Sequence, residues 1–172
     1  MTGGDLSRVI KLDGVPPEPL VVEASEAECA ALARRFALPA VDSLRAEVTL
    51  VREGDFIDTR GRLTARFDQL CAVSQEPFAN SMDEPLAFRF VPALATHGED
   101  EEIELSSEEA DEVEYEGAAF DLGEAVAQSF GLALDPYACG PDAEEIRREA
   151  GILDEDTPSG PFAALAGLRS KD

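Results

Sequence analysis

The chain has 172 residues, of which 44% are hydrophobic. That is enough for one domain with a buried core and too little for two comfortable ones. Its formal net charge is -23, yet so apolar a chain is not disordered throughout, so the charge must be local. Nine basic and 11 acidic residues stand up to Arg66, against 5 and 26 after it. A field of that sign repels phosphate backbones and attracts basic partners, which argues against direct nucleic-acid binding by the C-terminal half.

The opening residues carry no apolar run that reads as a signal peptide. No segment reaches the roughly 18 apolar residues of a membrane span, so a soluble cytoplasmic protein with no membrane association is expected. Cys29, Cys71 and Cys139 are odd in number, widely spaced and without a CxxC, a pattern that suits reduced thiols.

In chain order, LSRVIKL (residues 6–12) and LVVEA (20–24) read as two short strands around the Pro-rich GVPPEP. Ser25 and Glu28 form a capping-box pattern, and Cys29, Leu32, Ala33 and Phe36 follow at helical spacing until Pro39, which predicts a helix over 25–37. From Leu44 the period changes to two, with Leu44, Ala46, Val48 and Leu50 facing one way. After the turn at REGDF a second strand covers 56–70, in which Gly61 suggests a bulge or bend. PLAFRFVP (85–92) completes a meander.

Residues 98–117 hold eleven acids and no base, which predicts a mobile acidic loop over about 98–112 followed by a short edge strand at DEVEYE. Asp121 then caps a helix with Glu124 as its capping-box partner, and Leu122, Ala125, Val126, Ser129, Phe130, Ala133 and Leu134 form its apolar stripe. Core packing explains that stripe more simply than a partner groove does. Beyond Tyr137 the chain is polar and broken, with one exposed helical turn at DAEEIRREA and a short docking helix at the terminal PFAALAGL. The expected organisation is a single α+β domain over 1–137 and a flexible polar tail over 138–172. The domain is read as a mostly antiparallel, curved or barrel-like sheet covered by two helices.

The order of these features resembles the YceD-like family, the large ribosomal RNA subunit accumulation proteins, in the form found in alphaproteobacteria. The carriers are Cys71 to Pro77 (CAVSQEP), the FRFVP run, the acidic stretch, FDLGEAVAQSFGLALDPY and the terminal PFAALAGL, over roughly residues 60–172. The family motif often reads CxRCLEP. Cys71, Glu76 and Pro77 match it, while Ser74 stands in place of the second cysteine and Val73 in place of the arginine. The resemblance implies a small cytoplasmic bacterial protein linked to large-subunit rRNA accumulation, with no enzymatic activity and no cofactor.

Several residues invite sharper readings. Cys71 is a metal ligand, a reactive thiol paired with Cys139, or a packed structural thiol; zinc needs four ligands, which His97 and scattered cysteines do not supply, so the structural reading is preferred. Arg45, Arg52, Arg60, Arg62 and Arg66 lie on neighbouring strands, with Arg60, Arg62 and Arg66 on one face; this basic stripe either touches RNA phosphate or its arginines pair with Glu47, Asp58 and Asp68 across the sheet. Glu101, Glu102, Glu108 and Glu109 either dock a basic partner or merely solubilise the loop. The leading expectation is a non-catalytic factor that binds a basic ribosomal protein, an assembly factor or rRNA. The alternative is an acidic module that binds a basic or nucleic-acid-binding protein outside ribosome assembly.

Overall fold

Apolar residues at every second position build most of the fold. In the computed structural model, which describes residues 5–93 and 111–150, the strands are β1 (Val9–Lys11), β2 (Leu20–Glu23), β3 (Ala40–Glu53), β4 (Phe56–Leu70), β5 (Pro77–Pro92), β6 (Asp111–Tyr115) and β7 (Ala119–Asp121). The helices are α1 (Glu26–Arg35), α2 (Leu122–Ala133) and α3 (Ala143–Glu149). The chain divides into two compact units, Met1–Gln69 with Ala79–Asp135, and Leu70–Phe78 with Pro136–Asp172.

The first unit holds a five-stranded sheet in the order β2-β3-β4-β5-β6. Long β3 and β4 pair antiparallel from Ala40↔Asp68 to Glu53↔Phe56, as the alternation foretells. Leu44, Ala46, Val48 and Leu50 on β3 and Ile57, Leu63, Ala65 and Phe67 on β4 are all buried on the same side. The bulge expected at Gly61 lies elsewhere. The ladder runs straight through Val48↔Gly61, and the register shifts between Val41 and Ser43.

The α+β class holds, with β2–β3 and β3–β4 antiparallel and β5–β6 parallel in the same sheet. The barrel-like expectation does not hold: the sheet is open, with β2 and β6 as its edges. Edges of four and five residues, set against central strands of 14 to 16, cannot wrap round to pair with each other.

A second, two-stranded sheet joins β1 to β7, from Val9↔Asp121 to Lys11↔Ala119. The Asp121 carboxylate accepts from the Ser7 hydroxyl (2.5 Å), the Arg8 backbone N–H (2.7 Å) and the Glu124 N–H that opens α2 (3.1 Å). Glu124 does not close the capping box predicted there. Its carboxylate instead takes both guanidinium nitrogens of Arg35, at 2.7 and 2.8 Å, a bidentate pair stronger than a bond to a backbone amide. The box at α1 is complete, with Ser25 accepting from the Glu28 N–H and Glu28 accepting from the Ser25 N–H.

The helices bury their stripes in a core shared with the sheet. Phe130 of α2 is fully buried and meets Phe67 of β4 and Phe36, just beyond α1, edge to face at 5.5 and 5.6 Å. Gly131 makes room for this stack, since a Cβ there would lie 2.3 Å from a Phe36 ring carbon. Burying a ring such as that of Phe130 stabilises the fold by about 1.5–3 kcal/mol.

The acidic residues Glu101, Glu102, Glu108 and Glu109, together with His97 and the terminal PFAALAGL, lie outside the described residues. The acidic loop expected over 98–112 gives way to β6 at Asp111.

Candidate functional site

Three regions bring chemistry-bearing residues to defined places. The first is the outer face of the large sheet. Arg60, Arg62 and Arg66 are exposed there at alternate positions of β4, as their spacing requires, with Arg45 and Glu47 beside them on β3. Their pairing differs from expectation. Arg62 forks onto Asp83 of β5 through Nε and a terminal nitrogen, the latter at 2.9 Å. Asp58 pairs instead with Arg89 at 2.7 Å, and Glu47 with Arg45 of its own strand at 3.6 Å. Asp83 was hidden in the sequence because β5 begins at Pro77, well before the recognisable PLAFRFVP. Arg60 and Arg66 have no salt bridge among the described residues.

The second region is a groove of about 350 Å³ between β5, β6 and α2. Buried Leu63, Leu86 and Phe88 make its floor, half-buried Val113 one wall, and α2 supplies Gln128, Ser129 and Leu132. Leu132 is 82% exposed, the largest exposure among the described bulky apolar residues. Glu84, Asp111 and Glu112 line the groove, and among the described residues no lysine or arginine does. Helical periodicity had put Ser129 and Ala133 on the core stripe. The structure splits that stripe, with Phe130 and Val126 fully buried and Ser129, Leu132 and Ala133 at the groove. The signal available in the sequence was Leu132, an apolar residue off the stripe.

The third region is the turn after β4, in the second unit. Gln75 donates its N–H to the Cys71 carbonyl and Cys71 donates to the Glu76 carbonyl, both at 2.9 Å, and Gln75 takes a positive φ of 61° to close the turn. Glu76 thus serves through its backbone, and Pro77 opens β5. The Cys71 side chain is 2% exposed, the packed thiol that was expected. Its sulfur accepts from the N–H groups of Val73 and Ser74 at 3.4 Å each. The Ser74 hydroxyl, first among these donors, and the Gly140 N–H complete a cradle that lowers the thiol to about 6, against the raising effect of burial. Ser74, in the place of a second cysteine, works here as a hydrogen-bond donor.

From the other side of the second unit, Ala138 accepts the Ala72 N–H at 2.9 Å. Cys139 is exposed, and Arg147 of α3 donates to its sulfur at 3.5 Å. All three cysteines are free thiols. Among the described residues no group of three or more His, Cys, Asp or Glu is placed to hold a metal ion, and no helix is long and apolar enough to cross a membrane.

No curated protein and no solved structure gives a match to the chain. One family does: the family described as large ribosomal RNA subunit accumulation protein YceD matches residues 59–169, well over half of the chain. The matched span takes in the arginine stripe, the Cys71 turn, the groove and α2. The chain therefore belongs to the YceD family of large ribosomal RNA subunit accumulation proteins.

Proposed function

We propose that this protein is a non-catalytic, cytoplasmic factor in the accumulation of the large ribosomal subunit, and that it works by holding a basic segment of a ribosomal protein or assembly factor in the groove between β5, β6 and α2. The observation that carries this reading is the make-up of the groove: an apolar floor of Leu63, Leu86 and Phe88 beside Glu84, Asp111 and Glu112, with no cation in the lining among the described residues. An apolar anchor flanked by lysine or arginine matches both parts. Asp111 and Glu112 are also the start of the described part of the eleven-acid stretch, so the acidic field steers basic chains towards the same edge.

The test is co-sedimentation with precursor large-subunit particles at moderate salt. Wild-type protein is expected in those fractions. Leu132→Asp, or Glu84→Lys with Glu112→Lys, is expected to lose most of the association while the fold is retained, since these side chains are exposed. Absence of the wild type from every ribosomal fraction overturns this reading in favour of an acidic module that serves a basic partner elsewhere.

A second contact is supported by Arg60 and Arg66, which share an exposed face and lack salt bridges among the described residues. In this reading they meet rRNA phosphate once a protein partner has brought the RNA close.

A further inference from the structure

The edge of the large sheet opposite β6 is β2, and beside it lies a second groove, of about 680 Å³, lined by residues 7–11 around β1 and 20–22 of β2. Printed hydrogen bonds fix the backbone direction of both strands. Ala24 donates to the Leu44 carbonyl, so Leu20 and Val22 also turn their amides and carbonyls to β3, and those of Val21 and Glu23 point away from it. Leu12 donates to Ala118 and Leu122 to Arg8, so Ile10 likewise serves β7, and the backbone groups of Val9 and Lys11 point away from it. The Arg8 side chain crosses from β1 to the outward Glu23 carbonyl at 2.9 Å, which places the free edge of β2 on the β1 side. Among the described residues the outward amides and carbonyls of Val9, Lys11 and Val21 have no partner.

We propose that this groove binds an extended peptide segment of a partner protein as an added β-strand, and that the segment alternates apolar with acidic residues. An extended chain is the ligand that can satisfy free backbone groups on β1 and β2 together. The side chains set its composition. Buried Val22 and Leu122 and half-buried Ile10 and Leu20 give the groove an apolar lining, to which Val9 and Val21 add, at 61% and 50% exposure. Arg8 and Lys11 are its cations, and among the described residues no acid lines it, the reverse of the groove beside β6. Arg8 is held by Glu28, whereas Lys11 is exposed, has no salt bridge among the described residues and can meet a carboxylate. The two ends of the sheet thus suit segments of opposite charge, and the two sites are independent of one another.

The test is fluorescence anisotropy of a labelled peptide that alternates valine with glutamate, added to the full chain at physiological salt. Saturable binding is expected. The same peptide with alternate amides methylated cannot donate along one edge, and is expected to bind roughly tenfold more weakly or not at all. Val21→Pro removes one outward N–H at an edge position that tolerates proline and leaves the ladder to β3 intact, so it is expected to weaken binding of the unmethylated peptide by roughly tenfold with little change in the denaturation midpoint. Lys11→Glu is expected to weaken it several-fold. Should Val21→Pro fail to fold, the methylated peptide against wild type decides by itself. No binding of the unmethylated peptide, or equal binding of the two peptides, overturns the proposal. Wild type that ignores the peptide but dimerises, with Val21→Pro monomeric in sedimentation, assigns the groove to a second copy of the chain and overturns it too.

Discussion

Gly61 lies against the backbone of Glu47 so closely that a Cβ at residue 61 would stand 2.1 Å from the Glu47 carbonyl oxygen and 2.8 Å from the Val48 Cα. Gly61 occupies an inward position of β4 opposite Val48, between buried Thr59 and Leu63. Gly61→Ala is expected to force the central strands apart and cost at least about 1–3 kcal/mol, as overpacking does. Chemical denaturation measures it, and an unchanged midpoint would show that the strands have slack.

Phe130 is the second packing test. With rings of Phe36 and Phe67 edge-on to it and no exposure of its own, Phe130→Ala is expected to cost about 3–5 kcal/mol. Phe130→Leu should recover a good part of that loss, because it restores volume without the edge-to-face contacts.

Arg8 and Glu28 link β1 to α1. The guanidinium reaches both carboxylate oxygens, at 2.6 and 3.0 Å, and this bond, more than the Ser25 contacts, holds Glu28 at about 2, against an ordinary 4.5. A carboxylate lowered on folding contributes stability that is complete above about 4.5 and is lost as the pH falls towards about 2. Glu28→Gln is therefore expected to be less stable than wild type by about 1 kcal/mol at neutral pH. The gap should close between those two pH values. A gap that stays constant into acid would mean that the charge of Glu28 contributes nothing.

Ser74→Ala should raise the Cys71 thiol towards its ordinary value of 9.0, since the hydroxyl is the first of the groups that lower it. Ultraviolet absorbance of the thiolate during a pH titration reads this directly, and Cys139→Ser removes the exposed thiol from the signal. A titration that does not move would assign the lowering to the backbone amides alone.

Arg60→Glu with Arg66→Glu should leave the denaturation midpoint where it is, because neither side chain has a salt bridge among the described residues. Any rRNA retained on a partner-bound complex should be weakened and become less sensitive to salt. Unchanged RNA retention would make the stripe a solvated surface.

Much of the first unit was readable because its periods are long and unbroken: β4 runs from Phe56 to Leu70 as expected, and α1 starts at the Ser25 cap. Legibility failed where a residue's partner lay far along the chain. Asp83 belongs to a polar stretch of β5 that pattern alone does not mark as strand, so its pairing with Arg62 was invisible. Glu124 has the right spacing to serve Ser- or Asp-type capping, yet Arg35, distant in sequence, outbids the local amide. The groove was equally hidden. Its floor comes from β4 and β5 and its walls from β6 and α2, and no short window of sequence contains both.

The union of β1 with β7 bears on how the chain is made. Val9 faces Asp121, and Ser7 and Arg8 depend on the Asp121 carboxylate. During synthesis the first strand must therefore wait, without its partner, until more than a hundred later residues have emerged. The sheet from β2 to β5 has its local pairings to form in that interval, while closure of β1 onto β7 brings together residues distant in the chain, a slow class of contact. A nascent chain arrested before Ala119 should thus leave the β1 backbone unpaired and open to proteases, and release past Asp121 should pair it.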